Sequence, residues 1–146
     1  MSAKDGFEQD MLDHIFLNED IPNIGDAGGL LGSATAGSFW MAMYTAAPSD
    51  IAEGTECNYT GYDRVEVARS AGGFTRTGSS MSNTAAVTFP QCTAGDTDYA
   101  QWFTINKGAT PNDDDAIFWG ALTGILTIDV GATPEFPIGD LTITCD

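Results

Sequence analysis

The sequence predicts a mainly β domain, a β-sandwich or jelly-roll-like fold of about eight strands, with a short N-terminal α-helical arm. Short β-branched and aromatic runs alternate with turn residues, including 17 glycines, as is typical of all-β domains. Residues 116–123 are the densest apolar stretch and are apolar on both faces, which predicts a strand buried between two layers. Residues 125–130 continue the stretch, and we interpret the two segments as the central strand pair. Gly120 predicts a bend or a close backbone approach within it.

The N-terminal residues 5–17 have the pattern of an amphipathic helix. Asp5 is the expected N-cap, and Glu8 three residues later completes a capping-box pattern. Because so short a helix is marginal in water, its apolar stripe must dock on its own β-domain or on a neighbouring subunit. The stripe, which is the predicted partner-binding surface, consists of Phe7, Met11, Leu12, Ile15 and Phe16.

A segment rich in glycine and serine, residues 18–37, follows the helix and predicts a flexible connection or an extended arm. It lacks the Gly-Lys-Ser/Thr ending and the preceding strand of a phosphate-binding loop. We therefore divide the chain into a helix and Gly-rich arm, residues 1–37, and a β-sandwich domain, residues 38–146. The length of 146 residues suffices for one domain with a buried core.

The β-domain contains several further segments with strand patterns. Residues 38–45 carry large apolar side chains on both faces and end at a turn that contains proline. Apart from a weak strand, residues 70–81 are expected to be loop. In the last strand, alternation places Leu141, Ile143 and Cys145 on the core side. Strands are also expected at residues 62–67, 74–76, 85–90, 99–105 and 141–145.

The charge balance argues against several classes of partner. The chain carries 21 acidic and 5 basic residues, which gives a formal net charge of −16. Such a surface repels phosphate groups, so neither nucleic acid nor an anionic membrane is an expected partner. No apolar run is long enough for a transmembrane helix, and the first residues show no secretory signal pattern.

No catalytic constellation is visible, and we expect no enzymatic activity. His14 is the only histidine, and a surface or interface position is expected for it. The sequence contains no Gly-x-Ser-x-Gly nucleophile elbow. With 21 acidic residues, chance proximity explains any pair of carboxylates, so we assign no glycosidase dyad.

Neither a metal nor another cofactor is expected. Asp113, Asp114 and Asp115 offer oxygen ligands for calcium, but their spacing is not that of an EF-hand loop, and a solvated acidic turn is favoured. The cysteines do not have the spacing of a zinc site and allow at most one intramolecular disulfide. They are Cys57, Cys92 and Cys145.

Each of the three tryptophans, Trp40, Trp102 and Trp119, lies inside a predicted strand. The expected role of such residues is packing in the core or in a subunit contact, where tryptophan is enriched. Carbohydrate binding by stacking is the alternative if one of them proves exposed beside acidic side chains.

The motifs of the β-domain follow one another in a recognisable order. They are residues 45–50, 61–65, 83–90, a strand that ends near Ile105, residues 118–123 and residues 136–143. Together they resemble a family of small virion proteins of tailed bacteriophages, usually labelled "phage tail fiber protein". The resemblance covers residues 39–146 and extends to the N-terminal helix by position and pattern.

The resemblance implies a structural accessory protein of the virion, assembled in the host cytoplasm as a homo-oligomer. Its implied partners are copies of itself and the major capsid or tail protein of the phage. Because the chain has no heptads and no fibrous repeat, we expect a capsid decoration (cement) protein. The alternative is a tail-associated adaptor, or a tail fibre or receptor-binding module that binds glycans.

Overall fold

The computed structural model describes residues 3–52, 54–95, 97–111 and 115–145. The described residues are mostly β, in multiple antiparallel sheets with one short N-terminal helix, so the predicted fold class is confirmed and is consistent with a β-sandwich. Helix α1 spans Asp5–Leu12 and continues as a π-helical turn, Asp13–Leu17. The described strands are β1 Ser38–Ala46, β2 Thr55–Glu56, β3 Val65–Ala68, β4 Phe74–Thr77, β5 Ser80–Asn83, β6 Val87–Thr88, β7 Asp98–Asn106, β8 Ala116–Ile128, β9 Glu135–Phe136 and β10 Thr142–Thr144.

The strands form three sheets. The largest has the order β2-β1-β7-β8, with β3 also paired to β1, and the other two have the orders β10-β5-β4 and β6-β9. The chain divides into two compact units. Unit 1 comprises Met1–Ser38, Ala68–Ala86 and Phe136–Asp146, and unit 2 comprises Phe39–Val67 and Val87–Glu135. The predicted domain boundary after residue 37 stays a prediction.

The helix of unit 1 has the predicted extent but not the predicted N-terminus. Lys4 is the N-cap residue, and no side chain caps the helix there. The predicted cap at Asp5 is therefore wrong. Asp5 is the first helical residue, where its carboxylate still interacts favourably with the positive end of the helix dipole. The π-helical turn ends at Asn18, which has a left-handed backbone with φ of 63°.

Arg69 holds the end of this helix through backbone carbonyl groups that have no partner within the helix. Its Nε donates to the carbonyl oxygen of Ile15 at 2.5 Å, and its Nη2 donates to that of His14. Its Nη1 donates to Asn18 Oδ1 at 2.7 Å. The last carbonyl groups of a helix need such donors.

The glycine-rich segment is a closed loop rather than an extended arm. Ile21 and Leu30 exchange backbone hydrogen bonds of 2.8 and 2.9 Å, and the side chain of Ile21 is buried. Gly29 has a φ of 67°, and a Cβ there would lie 2.0 Å from the carbonyl oxygen of Ile21. Glycine is thus required for the loop to close. The expectation of an extended arm is wrong because the segment forms its own backbone bridge.

Strand β8 differs from the prediction in its length and in its burial. It is one strand of 13 residues, and it stands last in the sheet order, so that β7 is its one neighbour among the described strands. Its side chains alternate between half-buried and exposed, with Trp119 44% and Ile125 62% exposed. The predicted buried strand pair is therefore wrong, because a run of apolar residues does not reveal how many strands flank it.

Gly120 makes the predicted close approach. It lies opposite Phe103 of β7, and a Cβ on Gly120 would be 2.8 Å from the ring atom Cε1 of Phe103. An aromatic ring that covers a glycine on the neighbouring strand compensates for the missing side chain. This contact fixes the register of the first half of β8 on β7.

Candidate interaction surface

One face of the large sheet carries all three tryptophans. In the Cα register, Trp40 lies opposite Asn106 and Trp119 lies opposite Thr104, and Trp102 precedes Thr104 by two positions on β7. Side chains two positions apart on a strand share a face. The ring centroids of Trp102 and Trp119 are 5.7 Å apart, with a tilt of 56°. Trp119 is therefore the exposed end of an aromatic row that runs across three strands.

A bulge in β8 lies beside this row. Ala100 of β7 pairs with Leu126, whereas Trp102 pairs with Ala121, so β8 advances by more residues than β7 does. The extra residues open a shallow depression of about 180 Å³. Ligand pockets for drug-sized molecules measure about 300–1,000 Å³, so this depression suits no more than one side chain or one sugar ring. It is lined by Gln101, Trp102, Ala121, Leu122, Gly124 and Ile125.

The exposed side of β8 is apolar and carries no charge. Ile117 is 37% exposed, and Trp119, Ala121 and Ile125 also face solvent. No Asp, Glu, Lys or Arg occurs from Ala116 to Ile128, although 18% of the chain is charged. We call these four side chains the β8 surface. The exposed Thr123 separates Ile125 from the other three. Exposed apolar side chains that lie close together on a protein surface mark interaction sites.

A buried cluster of charged side chains connects three segments of unit 2. The side chain of Arg64 is 2% exposed. Its Nε and Nη2 donate to the two carboxylate oxygens of Glu56, each at 2.9 Å. Its Nη1 donates to Asp115 Oδ2 at 2.5 Å and to the carbonyl oxygen of Gly108 at 2.9 Å. Burial disfavours the cation, but the hydrogen bonds and charge of Glu56 outweigh it, so the pKa of Arg64 is raised.

The predicted candidates for chemistry that the structure describes have partners of their own. Asp113 and Asp114 lie outside the described residues, and Asp115 is buried against Arg64. Nδ1 of His14 donates to the carbonyl oxygen of Glu19 at 2.7 Å. Within the described ranges, no group of three or more His, Cys, Asp or Glu side chains is suited to hold a metal ion.

The predicted partner-binding stripe on the N-terminal helix is distributed between the core of unit 1 and its surface. Leu12 is 3% exposed and Phe16 is 0% exposed, with the Phe16 ring 4.9 Å from that of Phe74. Phe7 is 42% exposed, and Met11 and Ile15 are half-buried. Partner binding by this stripe stays a prediction.

Sequence reasoning did not identify the two main features of unit 2. Arg64 lies in residues 62–67, which the sequence predicts only as a strand, and nothing local shows that Glu56 and Asp115 converge on it. The exposure of the β8 surface also depends on strand order. A signal was nevertheless present, since residues 116–128 lack charge in a strongly acidic chain.

Titratable groups near β2 predict sensitivity to alkaline pH. Burial, with further contributions from Asp98 and Glu56, raises the pKa of Cys57 from 9.0 to about 12. Burial also raises the pKa of Tyr59 and of Tyr62. Because the folded chain holds these protons more tightly than the unfolded chain, the stabilisation is fully present below pH 9.0 and is lost as the pH rises towards about 12.

The urea midpoint is therefore expected to be constant between about pH 7 and 9 and to fall at each step above that. Cys57→Ala should make the fall less steep. A midpoint that stays constant up to about pH 11 would contradict the burial of these groups.

Comparison with known protein families gives one extensive match. The family model described as Podophage GP4 fiber I protein gp80 matches residues 3–144. No curated protein matches the sequence. None of the described helices is long and apolar enough to span a membrane.

Proposed function

We propose, because this chain belongs to the Podophage GP4 fiber I protein gp80 family, that it is a structural component of the tail fibre of a phage particle. It assembles there as a homo-oligomer, and its partners are copies of itself and a tail protein. Membership of a fibre family makes it a structural protein of the virion, and it favours the tail alternative over the predicted capsid decoration role.

The family match is the observation that carries this proposal, because it spans nearly the whole chain and therefore both units. The lack of heptads and fibrous repeats had favoured decoration. That argument loses its force once a compact fold belongs to a fibre family, since a fibre can be built from compact modules joined by interfaces. The apolar β8 surface suits such a joint.

The chemistry of the described side chains supports a structural role rather than an enzymatic one. The buried charges of Arg64, Glu56 and Asp115 bind one another, which leaves them no role with a substrate. We propose that the protein needs no metal or other cofactor. A net charge of −16 disfavours nucleic acid and anionic membranes as partners.

Fractionation of purified particles tests the location. Tails are detached from heads, and this chain is quantified in each fraction by mass spectrometry and gel densitometry. We expect it in the tail fraction, at tens of copies per particle or fewer. Recovery on tail-free heads in hundreds of copies would contradict the proposal and would restore the decoration role.

The exposure of Trp119 favours a second candidate function, glycan binding by the fibre, although β8 itself has none of the acidic residues expected beside such a tryptophan. Trp119 and Trp102 offer an aromatic platform, and the depression beside them can take one sugar ring. Stacking on one aromatic side chain contributes about 0.5–1.5 kcal/mol, so Trp119→Ala should weaken binding up to about tenfold.

This candidate is tested by tryptophan fluorescence during titration with a neutral polysaccharide of the host surface. Phe7→Ala is the control, because Phe7 is exposed to a similar extent in unit 1. Fluorescence that is unaffected by the polysaccharide, or equal affinities of the two variants, would argue against glycan binding.

A further inference from the structure

Strand β8 is an open edge of the large sheet. The sheet order ends at β8, and among the described strands β7 alone pairs with it. Every second backbone N–H and C=O of an edge strand points away from its sheet and can pair with another strand. The 13 residues of β8 exceed the usual length of a strand, which is about 5–6 residues.

Natural sheets usually have features that prevent such edges from pairing with other chains, and in this sheet the edge opposite β8 has more of them. The common devices are short edge strands, charged side chains, proline and bulges. At the other end of the sheet order, β2 has two residues, and one of them is Glu56. β8 contains neither a charged residue nor a proline. Its pairing with β7 shifts in register between Ala116 and Phe118 and again after Ala121. Residues 118–121, between these two bulges, remain a regular edge without charge.

We propose that residues 117–121 of β8 pair antiparallel with the same residues of a second copy of this chain, with Trp119 opposite Trp119 of that copy, so that two large sheets become one. This surface deepens the proposed function, because it supplies the contact for the homo-oligomer assumed there. Two copies related by a two-fold axis present identical strands to each other in opposite directions, which is the antiparallel arrangement.

Charge is the reason that a second copy is the occupant. Two chains of net charge −16 repel each other, so they can associate only where no carboxylates are brought together. The uncharged β8 surface is such a place. A basic partner would gain nothing from an uncharged strand, whereas an identical strand satisfies both open edges at once. Ile117 and Trp119 of the two copies would then lie on one common face and cover each other.

Sedimentation velocity of the purified full chain tests the proposal. We expect a species of twice the 15.4 kDa chain mass at micromolar concentration. The dimer should become tighter as salt rises from about 0.15 M to 1 M, because salt screens the repulsion and leaves the uncharged contact intact. A chain that remains monomeric over this range would overturn the proposal.

Two β8 variants and one control identify the surface. Ala121→Lys and Ile117→Lys each place a charge opposite an apolar side chain of the second copy, where pairing removes water from the charge, and each should weaken the dimer at least tenfold. Thr75→Lys, at an exposed position on the edge strand β4 of unit 1, should leave it unchanged. Ala121 is exposed and small, so this variant is expected to keep its circular dichroism even if Ile117→Lys loses some stability.

Hydrogen exchange separates strand pairing from contact through side chains alone. Amides in residues 117–121 should gain protection as the protein concentration rises, and this gain should disappear in Ala121→Lys. A dimer whose β8 amides exchange at a rate independent of concentration would overturn the proposal. Equal weakening by Thr75→Lys would do so as well. Because these measurements use the purified chain, a negative result would contradict the strand pairing and not the tail location. Likewise, a chain found on heads would contradict the tail location and not the strand pairing.

Discussion

Arg64→Ala is expected to lower the free energy of unfolding by about 3–5 kcal/mol, the largest effect of any single substitution considered for unit 2. The variant leaves the carboxylates of Glu56 and Asp115 near a buried position without their common counter-ion. A buried charge whose partner is removed costs far more than the pair itself contributes to stability. Urea denaturation followed by circular dichroism measures the change.

Two further arginine variants make this prediction specific. Arg64→Lys keeps the charge but loses the planar fork that binds both oxygens of Glu56, so it should destabilise the fold less than alanine does. Arg76→Ala removes a pair with Asp13 in which the arginine side chain is 31% exposed, and it should cost at most about 1 kcal/mol. Equal effects of Arg64→Ala and Arg76→Ala would show that the Arg64 cluster is not buried.

Phe16→Ala is expected to destabilise unit 1 by about 3–5 kcal/mol. The ring is 0% exposed and packs on Phe74, so the substitution leaves a cavity in the core between the π-helical turn and β4. Thermal and urea denaturation of the two single variants, Phe16→Ala and Phe74→Ala, should both show large losses.

Phe7→Ala is the matched control on the same helix, because Phe7 is 42% exposed. Its stability should change by less than about 0.5 kcal/mol. If Phe7→Ala nevertheless abolishes incorporation into particles, then the exposed part of the predicted stripe binds a partner. Normal stability of Phe16→Ala would mean that the helix does not belong to the core of unit 1.

Strand positions could be predicted from the sequence where apolar and polar side chains alternate. They could not be predicted where this alternation is missing. The predicted last strand places Leu141 and Ile143 in the core as expected, because one side of it is apolar. The first two residues of β5, Ser80 and Met81, fall in the segment predicted as loop, although the Met81 side chain is 0% exposed. A single methionine among serines carries no periodic signal, and its burial depends on its neighbours in the sheet.

The candidate surface was the harder part to predict. The tryptophans were correctly placed in strands, but their exposure depends on sheet order, which local patterns do not encode. β8 shows this most clearly, since its apolar run predicts a buried strand, whereas the strand lies at the edge of the sheet. Arg64 shows the opposite error. A charged residue in an alternating strand is usually solvated, and only the distant Asp115 and Glu56 make its burial possible.

Electron microscopy of intact particles with a gold-labelled antibody against this chain tests the central claim most directly. The claim is that the chain is a structural part of the tail fibre. We expect gold particles along the fibres and none on the head surface. Label distributed over the head, with bare fibres, would contradict it.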